Sequence, residues 1–110
     1  LRIIDMKNIT QVQWEELVAQ DENAVIIDAR TPRECAEGII ENAVMIDFLN
    51  ASEFISAIEK LDKSKNFYVY CRSGNRSGQA CQILNRMGAE NVFNLSGGML
   101  DWRGKTVVPA

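Results

Sequence analysis

Short apolar runs alternate with capped helical patterns along this chain, and no hairpin signal joins neighbouring runs. Ala24 to Asp28 and Phe67 to Tyr70 are continuous apolar stretches, as expected of strands buried on both sides. Ile3-Ile4, Ala43 to Ile46 and Val92 to Leu95 read as further strands. Between them lie helix starts with a mechanism. Thr10 and Gln13 have capping-box spacing, and Trp14, Leu17 and Val18 then form an apolar face. Thr31-Pro32-Arg33-Glu34 sets an N-cap, a proline at the first helical position and a glutamate three residues past the cap, with Gly38 ending the helix. Asn50 and Glu53 repeat the capping spacing before Phe54, Ile58 and Leu61. Ala80, Ile83, Leu84 and Met87 line a helix that Gly88 ends, and a short helix near Trp102 follows Gly97-Gly98. This alternation predicts an α/β fold with a mostly parallel sheet, whose ligands bind outside the carboxyl ends of the strands.

The 110 residues make one small domain, large enough for a modest core without staples. The net charge of -3 argues against a general nucleic-acid binder. No apolar run is long enough to span a membrane. Three cysteines leave at least one unpaired in a monomer, which is the expected state. With no histidine and no C-x-x-C, the usual zinc site and every histidine-assisted mechanism are removed, and no metal or cofactor is expected. Reduced cysteines point to the cytoplasm. The chain opens on Leu1 and not on Met, as expected of a trimmed, processed or excised sequence, so the periplasm stays open as an alternative.

The segment from Val69 to Gly78 carries the chemistry. A strand ends at Tyr70, Cys71 follows, and Arg72-Ser73-Gly74-Asn75-Arg76-Ser77 leads into a helix. Such a loop turns backbone N–H groups inward and adds the positive end of the helix. Two arginines stand in the same turn. These surroundings lower a thiol's pKa and make a nucleophilic thiolate available near neutral pH. A cysteine that only closes a core needs no polar, glycine-containing loop with two cations. Arg72 and Arg76 are candidates to bind a substrate anion, the alternative being two solvated arginines. Ser73, Gly74 and Asn75 are expected to act through backbone N–H groups, with Gly74 permitting positive φ. Ser77 completes the candidate substrate-binding loop.

Asp28 and Arg30 end the strand beside this one. They form either an ion pair at the pocket edge or structural pairs with a neighbour such as Glu34 or Glu37, and the structural reading is preferred. Cys35 and Cys81 either pack in helices or resolve a disulfide with Cys71. Packing is favoured, since buried free cysteine is common. Met99 and Trp102 are expected to cover the core near the loop.

With these residues in view, the chain resembles the single-domain rhodaneses, a family of sulfurtransferases. The resemblance runs from Ile9 to Trp102 and rests on four ordered blocks: IIDARTPRECAEGII (26–40), NAVMIDF (42–48), VYCRSGNRSGQA (69–80) and LSGGMLDW (95–102). It implies a sheet of about five mostly parallel strands flanked by helices on both faces. It also implies that the Cys71 thiolate takes the outer sulfur of a small sulfur-containing anion, thiosulfate or a persulfide, and carries it as a persulfide. The sulfur then passes to cyanide, a thiol or a sulfur-carrier protein. The chain departs from the pattern at Glu37-Gly38-Ile39-Ile40, where many relatives have Glu-Gly-His-Ile, and at Glu41-Asn42-Ala43 in place of Pro-Gly-Ala. Altered packing, with activity retained, is expected there. Cys35 stands where an aromatic residue is common.

Phosphatases and arsenate reductases on this fold are the nearest enzymatic alternative. Their loops read C-x5-R, whereas Cys71 to Arg76 is C-x4-R and Tyr70 replaces the usual histidine before the cysteine. The smaller cradle fits a sulfur atom better than a tetrahedral phosphate. A non-catalytic docking module and a Cys71 redox sensor are the alternatives of another class.

Overall fold

The computed structural model describes residues 6–109. The expected strand at Ile3-Ile4 lies outside them. The first described strand, β1, is Met6–Ile9, and Thr10 caps α1 (Gln11–Gln20) through the reciprocal bonds expected with Gln13. Next come β2 (Ala24–Asp28) and α2 (Pro32–Cys35), the latter started by the Thr31–Glu34 capping box. The chain continues through β3 (Ile39–Ile40), β4 (Val44–Met45) and α3 (Ala51–Glu59), the last with Asn50 accepting from the Glu53 N–H. It ends with β5 (Asn66–Tyr70), α4 (Asn75–Arg86), β6 (Asn91–Leu95), α5 (Gly98–Asp101) and β7 (Thr106–Val107).

The five longer-range strands form one parallel sheet in the order β1-β6-β5-β2-β4. Alternation along β5 divides the core. Phe67 and Val69 face one side, where Ile27 of β2, Phe54 and Ile58 of α3, and Ala80 and Leu84 of α4 pack on them. Tyr68 and Tyr70 face the other side with Trp14 of α1, Ile26, Ile40 and Leu95. Helices therefore cover both faces, and β5, flanked by β2 and β6, is hidden on each. Trp14 meets Tyr68 and Tyr70 edge-on, with ring centroids 5.6 and 6.0 Å apart.

Two expectations need correction, and one pair of strands has no counterpart among them. Leu17 is 41% exposed, because α1 turns Trp14, and partly Val18, onto the sheet. The strand expected over Ala43 to Ile46 shrinks to Val44–Met45, an edge strand whose two side chains lie half in solvent. A second, antiparallel pair, β3 with β7, had no strand signal in the sequence. Both partners have only two residues, too few to show a period. The departures noted in the sequence fit locally. Ile39 is buried in β3, and Asn42 takes the left-handed φ of 71° that a glycine would favour and asparagine tolerates.

The chain leaves β2 toward β4 but leaves β5 toward β6, so the ends of β2 and β5 flank a topological switch point. In open α/β sheets that is where a ligand crevice forms. Among the described residues no helix is long and apolar enough to cross a membrane.

Candidate active site

Cys71 follows the last residue of β5, and the loop 71–74 returns at once into α4. The turn is tight because Gly74, the N-cap of α4, has φ +103°, a conformation that L side chains rarely adopt. Glycine brings no capping side chain, so the first-turn N–H groups of α4 need another acceptor. The Cys71 sulfur takes that place. Gly74 N–H donates to Sγ at 3.1 Å, and Ser77 Oγ lies 3.3 Å from it. Burial on its own pushes the thiol pKa up. Hydrogen bonds from the Ser77 hydroxyl and from the Ser77, Gly74 and Ser73 N–H groups outweigh it, so the net shift is downward. A sulfur that caps a helix thus carries negative charge more readily than a free thiol.

The outer side of the loop is held by α5. Met99 and Leu100 N–H donate to the carbonyls of Cys71 and Arg72, each at 3.0 Å. Gly98 permits this approach. It has φ +53°, and a Cβ there would lie 2.5 Å from Cys71 O and 2.6 Å from the Arg72 carbonyl carbon. With its carbonyls drawn outward, the loop directs N–H groups inward. The sequence shows Gly97-Gly98 as a break before a helix and as part of the LSGGMLDW block, but not that Gly98 lets α5 reach the loop carbonyls. A paired glycine shortly before the chain's end was the available signal.

Above the loop lies a cleft of about 450 Å3 lined by Arg30, Arg33, Glu34, Glu37, Arg72, Met99 and Leu100. Cys71 itself is 1% exposed and is not among the lining residues; its neighbour Arg72 is. Met99 and Leu100 supply an apolar wall. Arg72 and Arg33 reach the cleft without an ion-pair partner among the described residues.

Arg76 is placed differently from the sequence expectation. Its Nη1 and Nη2 donate to Glu34 Oε1 and Oε2 at 2.8 and 2.9 Å, a parallel two-bond fork. The Arg76 bond draws the Glu34 carboxyl down to about 2, and Glu34 also closes the α2 capping box with Thr31. The guanidinium expected to hold a substrate anion is therefore matched by a carboxylate, which leaves Arg72 as the loop's unpaired cation.

Asp28 and Arg30 pair with each other, not with the Glu34 or Glu37 side chains. Asp28 is fully buried. Its Oδ1 accepts from Arg30 N and Nε at 3.0 and 2.9 Å, and its Oδ2 from Nη2 at 2.7 Å. The same Nη2 donates to Gly38 O at 2.7 Å, which fixes the turn between α2 and β3. The guanidinium lies 5.7 Å from the centre of the Tyr70 ring, and Tyr70 Oη accepts from Ile40 N–H. The arrangement is a structural brace whose arginine also forms one cleft wall. Asn75 lies exposed at the start of α4, its side chain accepting from Gln79, and Ser73 is exposed in the loop.

Cys35 and Cys81 are buried and unpaired, and burial pushes both thiols up to about 12. At neutral pH they stay protonated, which agrees with packing roles.

A match to the rhodanese-like domain model covers residues 11–105. The chain belongs to the rhodanese-like domain family. It is 38% identical over 103 residues to YtwF of Bacillus subtilis, provisionally named a sulfurtransferase, covering 94% of this chain and 96% of that one. It is 35% identical over 97 residues to a protein of Allochromatium vinosum named sulfurtransferase, with 86% and 88% covered. A tRNA uridine(34) hydroxylase of Pelagibacter ubique is 32% identical, but this rhodanese-like chain spans only 31% of its length. Among solved structures, a rhodanese-like domain protein of Staphylococcus aureus superposes with a TM-score of 0.82 at 26% identity, covering 96% of this chain and all of the other. The five-stranded parallel sheet with flanking helices is thus the rhodanese-like fold, as the resemblance implied.

Proposed function

We propose that the protein is a sulfurtransferase that moves a sulfane sulfur from thiosulfate or a persulfide to a thiol-type acceptor through a persulfide on Cys71. One observation carries this: the Cys71 sulfur serves as the acceptor for the N–H groups that open α4, so an anionic sulfur is stabilised where it stands. The Cys71 thiolate attacks the outer sulfur of thiosulfate. An S–S bond forms to Cys71, the S–S bond of thiosulfate breaks, and sulfite leaves with the electron pair. The acceptor thiolate then attacks the terminal sulfur, and Cys71 departs as the thiolate. Arg72 attracts the donor anion, and the N–H groups of Ser73, Gly74 and Ser77 hold the charge on sulfur. No metal, cofactor, nucleic acid or membrane takes part. The acceptor is a thiol or a sulfur-carrier protein. The chain is read as a cytoplasmic monomer.

Two features favour sulfur over phosphate as cargo. The loop is one residue shorter than C-x5-R, and its closing arginine is neutralised by Glu34 where a phosphatase needs it facing the phosphoryl oxygens. The test is intact mass after incubation with thiosulfate, then with cyanide. A gain of one sulfur on Cys71 that cyanide removes is expected. No gain on a free, alkylatable Cys71 would reject sulfur transfer.

A further inference from the structure

Ser77 has one hydroxyl hydrogen and two neighbours that can take it. Oγ lies 2.6 Å from Asn94 Oδ1 and 3.3 Å from Cys71 Sγ. Ser77 is fully buried and Asn94 is 5% exposed, so water does not supply a second hydrogen. The orientation of the Asn94 amide is fixed by its other bonds. Nδ2 donates to Asn8 Oδ1 at 2.9 Å and to Gly74 O at 3.1 Å, using both of its hydrogens. Turning the amide over would set its oxygen against the Gly74 carbonyl, a backbone acceptor that cannot itself be turned. Oδ1 therefore faces Ser77, and among the described residues Ser77 is its one partner.

We propose that Asn94 is a positioning residue that holds the Ser77 hydrogen away from Cys71 and so sets the pH at which Cys71 ionises. While Cys71 is a thiol, S–H donates to Ser77 Oγ and Ser77 O–H donates to Asn94 Oδ1, a chain running in one direction. On ionisation the thiolate becomes an acceptor, and the Ser77 hydrogen must turn to it. Asn94 Oδ1 is then left buried without a donor, which disfavours the thiolate. The backbone N–H groups lower the thiol pKa and Asn94 limits that fall. The limit is useful, because a thiolate loses nucleophilicity as its pKa drops.

The charged and titratable groups on the elements around the loop are Arg72 in the loop, Arg76 and Cys81 on α4, Glu34 on α2, Asp28 at the end of β2 with its partner Arg30, and Asp101 on α5. Among the described residues none of them hydrogen-bonds to Ser77 Oγ or to the Asn94 amide. The effect of Asn94 thus passes through Ser77.

The experiment is the pH dependence of Cys71 alkylation by iodoacetamide, followed by mass. It needs no sulfur donor, so its outcome is separate from that of the sulfur-transfer proposal. Asn94→Leu, close in size to the native residue, should lower the midpoint by about one pH unit, the scale of one hydrogen bond to a charged group. Mere loosening of the loop would weaken the Gly74 N–H bond and raise the midpoint. A raised or unchanged midpoint would overturn the proposal. In a Ser77→Ala background the same substitution should produce no shift, and an equal fall there would also overturn it. A second measurement leaves Asn94 intact. The Asn94 side-chain 13C resonance should titrate with the Cys71 midpoint in the native protein and lose that titration in Ser77→Ala. Equal titration in both would count against the proposal.

Discussion

Arg76 and Glu34 face each other through two parallel bonds of 2.8 and 2.9 Å, which join the first turn of α4 to the short helix α2. This pair, and not a free arginine, borders the loop. Arg76→Ala and Glu34→Gln are therefore expected to impair sulfur transfer similarly, with the double variant little worse than either single one. Double-mutant kinetics checks this, a coupling of about 0.5–3 kcal/mol being usual for residues in contact. Fully additive losses would show that Arg76 acts on its own.

On the proposed function, Arg72 takes the donor-binding role that the sequence offers to both loop arginines, because Arg76 is paired with Glu34. Arg72→Ala should raise KM for thiosulfate by about tenfold, or about 1.4 kcal/mol, with a smaller effect on the thiol half-reaction. Steady-state kinetics of both half-reactions distinguishes the two. Equal losses would remove Arg72 from donor binding.

The Glu34 carboxyl, drawn down to about 2, makes a pH-dependent contribution to stability with a definite sign. A depressed carboxylate stabilises the fold fully above its unfolded pKa of about 4.3, and loses that effect as pH falls toward its folded value. The stability difference between native protein and Glu34→Gln should be present at neutral pH and close between about pH 5 and pH 2. Urea denaturation across that range measures it. A difference that stays constant would contradict the ion pair's contribution.

Gly98→Ala should be among the most damaging single-methyl changes in the chain. The left-handed backbone alone costs about 1–2 kcal/mol for a residue with a side chain, and the added carbon would meet the Cys71 carbonyl at 2.5 Å. Lowered thermal stability and slower Cys71 alkylation are expected together. Normal alkylation in a destabilised variant would mean that the clamp does not shape the loop.

Cys71→Ser should abolish the persulfide mass gain, while Cys35→Ala and Cys81→Ala should keep it. Mild peroxide followed by intact mass should reveal no disulfide between Cys71 and either of the others. An intramolecular disulfide would revive the redox reading.

The helix caps were legible in the sequence because each is a local device: Thr10 with Gln13, Thr31 with Glu34 and Asn50 with Glu53 all form as spaced. The buried strands were legible because β2 is apolar up to Asp28 and β5 is apolar from Phe67 on. The Cys71 loop could be read because its residues are contiguous. What escaped was set by partners distant in the chain. Nothing near Arg76 announces Glu34, which is 42 residues away, and nothing near Ser77 announces Asn94. The β3–β7 pairing joins residues more than sixty positions apart through strands too short to carry a pattern.

The contacts from Met99 and Leu100 to the loop carbonyls make the reactive loop a joint product of two distant stretches of chain. A fragment cut after β6 would keep every residue from Cys71 to Ser77 and lose what orients their peptide groups. Loop identity and loop polarity are thus written in different places. Grafting CRSGNRS alone onto another strand-to-helix turn would transplant a cysteine without its electrostatics.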